Sequence, residues 1–452
     1  MTVIKAVMYG AGNIGRGFIG ALLSQIGYEV VFIDANVSIV NLINEKKKYV
    51  QEIVGDKPEE ILITGVRAVN GTDRAAVAAE IADADILATA LGAAVLPKVV
   101  PIIADGLEQR WQNNPDNKLD LLICENLMNA DRYLNDLLKK ELNAPYDTLM
   151  DANLGLVETS IGRMVPVMND ETREKDPLRI CVEAYDYLPV DRSAVKGDLP
   201  NYPKLLPYQP FGFYLERKLY LHNMGHAETA YLGQLAGYEK ICDAVSDPSI
   251  RFFVENAMIE SALAISRKYN ISFDLLKPHI DDLIYRFGNR ELGDTTERVG
   301  RDPIRKLKPE DRLVGAARNA EQQGFKPVYL SLAIASALNQ LSREKNVKPE
   351  NLLREICEID PEEMLGIRLD NEDVLEIGFS CSGGGWRAMC CTTGSFVGAE
   401  KIGLLDTVMY ASTLSGSSWF MGRCLYSGMD IHAYRKRLID VASSGIKIKS
   451  PK

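Results

Sequence analysis

The sequence predicts an α/β fold: a doubly wound parallel sheet, then a mostly α-helical domain, then a short truncated α/β tail. Three observations carry this. A glycine-rich turn stands between an apolar strand and a helix at the start of the chain. Strand-like and helix-like stretches alternate after it, which is the pattern of a parallel sheet with crossover helices. Beyond Pro189 the alternation gives way to long stretches of helical periodicity. The expected units are residues 1–192, 193–370 and 371–452.

The first strand, an apolar run over 3–9, ends in Gly10-Ala11-Gly12-Asn13-Ile14-Gly15, and a helical pattern follows through Leu23. Gly27 marks the next turn, and 29–33 reads as a second strand ending at Asp34, 24 residues after Gly10. This is the Rossmann arrangement for binding a dinucleotide. Gly10 permits the tight turn, Gly12 lets backbone approach a pyrophosphate, and Gly15 lets helix and strand pack closely. The free N–H groups and positive dipole end of the helix face the phosphates. Asp34 accepts hydrogen bonds from the ribose hydroxyls and repels a 2′-phosphate, which favours NAD over NADP. Later strands are expected at 61–68, 85–91 and 121–125. Thr89 and Gly92, at the end of one of these, are a second place for backbone to touch cofactor, with a plain strand-to-helix turn the alternative.

Helical periodicity covers 212–235, 251–268, 273–287 and 326–343. On a uniform α-helix Lys218, Asn223 and His226 fall at about 0°, 140° and 80°, so the three polar groups share one side. His222 falls on that side too, at about 40°, and geometry alone does not choose between the two histidines. The bland alternative is a solvated helix face.

The segments Gly10 to Gly20 and Glu216 to Gly233 resemble the polyol-specific long-chain dehydrogenases. The resemblance runs almost continuously to about residue 365. Lys218, Asn223 and His226 match that family's Lys-x-x-x-x-Asn-x-x-His motif, and Asn126 matches the position of its second asparagine. The resemblance implies metal-independent hydride transfer to NAD, and the sequence shows no compact cluster of zinc-binding residues. Lys218 would be the general base, provided burial and nearby positive charge lower its pKa from about 10.4 towards 7–8. Asn223 and Asn126 would donate to the developing alkoxide, and His226 would orient a substrate hydroxyl. Residues 297–307 resemble the phosphate-using branch, which implies interconversion of D-mannitol 1-phosphate and D-fructose 6-phosphate. Arg301, Arg305 and Lys306 are then candidates for the substrate phosphate, against the alternative of surface ion pairs. The runner-up is a mannitol 2-dehydrogenase or hexuronate reductase of the same family. The family resemblance also implies a monomer.

The tail differs in composition. Residues 377–452 hold nine Lys/Arg against four Asp/Glu, in a chain whose net charge is -10, and four of the eight cysteines. Expected strands at 374–379 and 408–411 lead into Gly383-Gly384-Gly385 with Arg387, and into Ser415. These resemble the opening of a patatin or cytosolic phospholipase A2 domain, with an oxyanion loop and a nucleophile elbow. Thr413 stands where the elbow usually has glycine, and the sequence ends at Lys452, before the group's catalytic aspartate. A serine without its base is a poor nucleophile, so the tail is expected to be an inactive, loosely packed fragment. The reading from another class, a serine lipid acyl hydrolase with an NAD-binding half, is disfavoured on that ground. The acidic balance argues against a nucleic-acid surface. No apolar stretch is long enough for a membrane span. The scattered cysteines fit a reducing, cytoplasmic compartment.

Overall fold

The computed structural model describes residues 4–127, 129–166, 174–359, 377–381, 408–413 and 436. Its first unit is built on nine strands: β1 (Lys5–Tyr9), β2 (Glu29–Asp34), β3 (Lys48–Ile53), β4 (Glu59–Thr64), β5 (Val66–Asn70), β6 (Ile86–Thr89), β7 (Leu119–Ile123), β8 (Leu154–Glu158) and β9 (Ile180–Val182). Six of them form one parallel sheet in the order β5-β2-β1-β6-β7-β8. The central strands are apolar at nearly every position because helices cover both faces. The period of two divides them cleanly. Ala6, Met8, Val30 and Phe32 face one core with Phe18 and Leu22. Val7, Tyr9, Val31 and Ile33 face the other with Val77, Ile103 and Trp111. The strand order reverses direction at β1, where β2 lies on one side and β6 on the other. A crevice opens at the carboxyl ends of the strands at such a point.

The glycine turn leaves β1 there. Gly10 has φ +109°, and a side chain on Gly15 would place its Cβ 1.9 Å from the Gly10 carbonyl oxygen. The helix therefore starts hard against the turn, first as a π segment (Gly15–Ile19) and then as an α-helix (Gly20–Ile26). Around Gly12, by contrast, no atom lies within 4 Å of where a Cβ would be.

The segment 61–68 is not the single strand expected from its apolar pattern. Gly65, at φ +66°, breaks it, so that β4 pairs antiparallel with β3 while β5 becomes an edge of the main sheet. β9 extends the side sheet parallel to β3. The helices also begin later than Pro189. A short parallel pair, β10 (Leu188–Asp191) and β11 (Leu205–Tyr208), comes first, and the helices start at Gly212.

The helical unit packs around Pro248–Tyr269, with Met224–Ala236, Lys277–Phe287, Val314–Gln322 and Val328–Lys345 against it. Asp247 caps the central helix by accepting from the N–H groups of Ser249 and Ile250, and Pro248 occupies its first turn. One continuous helical rod begins as α (Gly212–Glu216), winds as π through Arg217–Asn223 and returns to α over Met224–Ala236. The i→i+5 winding shifts Lys218, Asn223 and His226 from the angular positions of a uniform α-helix.

A sealed ion pair joins the two units. Arg286, on Lys277–Phe287, donates from Nε to Glu183 Oε2 at 2.7 Å, and its Nη2 reaches Glu183 Oε1. Glu183 Oε1 also accepts from the Met164 N–H, and both side chains are buried. Far along the chain, β12 (Ile377–Cys381) and β13 (Val408–Thr413) pair in parallel, each close to an expected tail strand. The candidate residues Gly383, Gly384, Gly385, Arg387 and Ser415 lie outside the described residues.

Two outcomes follow from this packing. Gly15→Ala should lower stability by about 1–3 kcal/mol through overpacking against fixed backbone, whereas Gly12→Ala should leave the thermal midpoint unchanged. Equal midpoints for both variants would contradict the close approach. Arg286→Met strands a buried carboxylate and should cost about 3–5 kcal/mol in denaturant unfolding.

Candidate active site

Two cavities meet beneath the carboxyl ends of the central strands, and Asn126, Lys218 and Asn223 line both. The larger, about 350 Å³, is walled also by Arg163, Met164, His222, His226, Asp294 and Arg298. The smaller adds Glu125, Glu158, Arg305, Asp311 and Arg312. The fold thus brings the expected Lys218, Asn223, His226 and Asn126 to one place. Asn126 arrives on the turn after β7, and the other three on the helical rod.

Among the described residues the Lys218 ammonium has neither a carboxylate nor a hydrogen-bond partner. Burial pushes its pKa down to about 8, and the Arg312 charge adds to the shift while Cys124 opposes it. The Asn126 and Asn223 amides also make no side-chain hydrogen bond to other described residues, so their donors are available to the cavity. Each therefore enters the site without an internal partner to displace.

The two histidines differ in setting. His222 is buried, and burial, followed by the charges of Arg286 and His226, holds its imidazole well below the ordinary histidine range. His226 stacks on Phe287, with ring centroids 4.8 Å apart and planes at 10°. Its Nε2 lies 3.4 Å from Asp294 Oδ2. Burial works to raise the Asp294 carboxyl, but the hydrogen bond and charge of His226, with Arg298, outweigh it and hold the pKa below the usual range. An imidazole oriented by a carboxylate presents its other nitrogen in a fixed direction.

At the dinucleotide end, Asp34 stands at the carboxyl end of β2. Its Oδ2 accepts from the Ala11 N–H and its Oδ1 from the Asn36 N–H, both at 2.8 Å, so it also braces the glycine turn. Arg16 pins the same turn from the other side, donating from Nε to the Ala11 carbonyl at 2.7 Å and from Nη1 to the Leu178 carbonyl at 2.7 Å. Asn13 is exposed and Ile14 half-buried at the helix start. Thr89, expected at the cofactor surface, is instead wholly inside the sheet, and its carbonyl accepts from the Cys124 N–H at 2.9 Å. Gly92 borders open space at φ +89°, and its N–H and that of Leu91 are both taken by the Glu125 carboxylate.

The candidate phosphate cations separate. Arg301 is exposed and lines neither cavity. Lys306 is buried, with its ammonium against the Arg301 carbonyl oxygen. Arg305 does reach the smaller cavity. Sequence reasoning missed Arg312, Glu125, Glu158, Arg163, Asp294 and Arg298. Arg312 follows an acid and precedes a run of apolar residues, a weak hint of a charge held near a core. The others come together only through the fold. Glu158 is pushed up to about 7 by burial and the Asp131 charge, against the opposing hydrogen bond from the Ala130 N–H. Among the described residues no group of His, Cys, Asp and Glu side chains stands close enough to hold a metal ion, and no helix is long and apolar enough to cross a membrane.

Comparison with known proteins places the chain. Residues 4–204 match the mannitol dehydrogenase Rossmann domain, and residues 212–351 match the mannitol dehydrogenase C-terminal domain. Residues 377–438 match the lysophospholipase catalytic domain. The mannitol-1-phosphate 5-dehydrogenase of Shouchella clausii (strain KSM-K16) is 37% identical over 337 residues, covering 74% of this chain and 88% of that protein. Among solved structures, a substrate-free D-sorbitol dehydrogenase superposes with a TM-score of 0.63 at 17% identity, over 75% of this chain and 81% of that one. The Pseudomonas fluorescens mannitol 2-dehydrogenase complex with NAD and D-mannitol gives 0.61 at 16% identity, over 75% and 80%. With both domain models matched in order and such a relative covered nearly end to end, the chain belongs to the mannitol dehydrogenase family.

Proposed function

We propose that this chain is an NAD-dependent dehydrogenase that interconverts D-mannitol 1-phosphate and D-fructose 6-phosphate, with Lys218 as its general base. The observation that carries the reading is an ammonium with a pKa near 8 that shares a cavity wall with two amides and a carboxylate-anchored imidazole, the ammonium and amides having no side-chain partner among the described residues. The phosphorylated substrate is supported by the relative that is 37% identical.

The dinucleotide fits the glycine turn. The open space over Gly12 and the positive φ of Gly10 leave bare backbone facing the crevice, and a side chain at Gly12 would fill it. Gly10, Ala11, Gly12, Asn13, Ile14 and Gly15 would hold the pyrophosphate, Asp34 the ribose, and Gly92 would border the nicotinamide end. NAD supplies the hydride acceptor.

The side chains do the rest. In the oxidative direction neutral Lys218 Nζ accepts the proton of the reacting hydroxyl. The Asn126 and Asn223 amides donate to the same oxygen as negative charge grows on it. His226, fixed by Asp294, pairs with a neighbouring hydroxyl and sets which carbon reacts. In the reductive direction the Lys218 ammonium returns the proton to the carbonyl oxygen, so one group serves both directions.

The deciding assay compares NADH oxidation with fructose 6-phosphate and with fructose. A preference for fructose would turn the reading to the unphosphorylated members of the family. Because the base must be neutral, kcat/KM for polyol phosphate oxidation should rise with pH and level off above about 8, while the reductive rate falls through the same region. A profile that is flat between pH 6 and about 9 would remove Lys218 from the role. Lys218→Ala should cost about 10²–10⁴ in kcat, with added primary amines restoring part of it.

A further inference from the structure

We infer that Arg312, together with Arg305, is the anchor for the substrate phosphate, a proposal that rests on the sugar-phosphate reading above. Of the cations in residues 301–306, only Arg305 lines a cavity that Lys218 also lines. The Lys306 ammonium is spent on a backbone carbonyl, and Arg301 lines neither cavity. Arg312 lines the smaller cavity beside Arg305, and its charge is felt at both Lys218 and Lys306.

One carboxylate holds the two guanidiniums. Asp311 Oδ1 accepts from Arg312 Nε at 2.8 Å and Asp311 Oδ2 from Arg305 Nη1 at 3.3 Å. Asp302 takes Arg305 Nε at 2.8 Å. These contacts use Nε of Arg312, and Nε and Nη1 of Arg305. Among the described residues, both Nη atoms of Arg312 and Nη2 of Arg305 have no hydrogen-bond partner. That leaves a planar fork and one further donor, the pattern that grips phosphate oxygens. The loop bearing Arg312 is anchored on both sides, since Leu307 and Leu313 are fully buried in the helical core. Arg312 itself is only 11% exposed, so its donors are largely shielded from competing water.

Each acid on the same wall is already engaged or partly neutralised. Asp311 is held by the two guanidiniums, both Glu125 oxygens are taken by N–H groups, and Glu158, with its pKa lifted towards neutrality, carries less than a full charge there. The reacting carbon and the phosphate sit near opposite ends of the hexitol. A substrate gripped at Arg312 therefore spans from the phosphate anchor to the base along the shared wall.

The test is steady-state kinetics on the full chain with NADH. Arg312→Ala should lower the ratio of kcat/KM for fructose 6-phosphate to that for fructose by about tenfold or more, mainly through KM. Arg305→Ala should do the same to a smaller degree, because Arg305 is more exposed and keeps one free nitrogen, and Arg312→Lys should recover part of the loss. Inorganic phosphate should compete with fructose 6-phosphate on the unaltered chain and lose that effect on Arg312→Ala. An unchanged ratio in Arg312→Ala, or an equal fall for both sugars, would overturn the assignment. If the unaltered chain reduces neither sugar, the functional reading fails instead. Thermal stabilisation by inorganic phosphate, present in the unaltered chain and absent in Arg312→Ala, then decides the anion site alone.

Discussion

A carboxylate and a guanidinium sealed together between the two units are the constraint on which the site depends. Glu183 and Arg286 are both nearly without solvent, and removing either leaves an uncompensated charge in the interior. Such a pair adds little net stability over apolar packing, but any docking of the helical unit on the sheet that separates the two charges is penalised. Its secondary contacts extend that control. The Met164 N–H on Glu183 fixes one stretch of the cavity wall, and the Arg163 guanidinium donates to the Glu183 carbonyl at 2.9 Å. The positive end of the pair also helps keep His222 and His279 neutral. One interaction therefore sets both the shape of the cavity and the charge on one side of it.

The remaining electrostatics follow from burial. The helical rod carries Lys218 into surroundings where its charged form is penalised, and among the described residues no carboxylate pairs with it. His226, by contrast, is held against Asp294, which in turn binds Arg298. The same rod thus presents a cation that releases its proton readily and an imidazole whose orientation is locked. The difference lies in what the neighbouring loops bring to each.

Local chemistry was the legible part of the sequence. Gly10 and Gly15 stand where the backbone leaves no room for a side chain, Gly12 borders open space, and the alternation of apolar strands reports which faces are covered. Lys218, Asn223 and His226 were readable as a set because the family motif names them, although the uniform α-helix used to place them does not exist at that point. The break at Gly65 was hidden because both halves of 61–68 are equally strand-like, and only the backbone conformation separates them. Thr89 ends inside the sheet and not above it, and a strand's last residues read alike in sequence in either case. Arg312 and Asp294 reach the cavity from distant loops and Glu158 from the end of β8, and no local pattern encodes their convergence.

The π-wound stretch over Arg217–Asn223 has a consequence for how this site can vary. A π segment holds one residue more than α winding would place in the same rise. Lys218 lies inside it and His226 beyond it, so their relative direction is stored as a count of residues, independent of side-chain identity. Loss of a single residue from 219–222 would restore regular winding and rotate Asn223 and His226 about the rod axis relative to Lys218, with every functional side chain still present. Along this rod, insertion and deletion are a more severe kind of change than most substitutions, and chain length between the proposed base and its partners is itself part of the site.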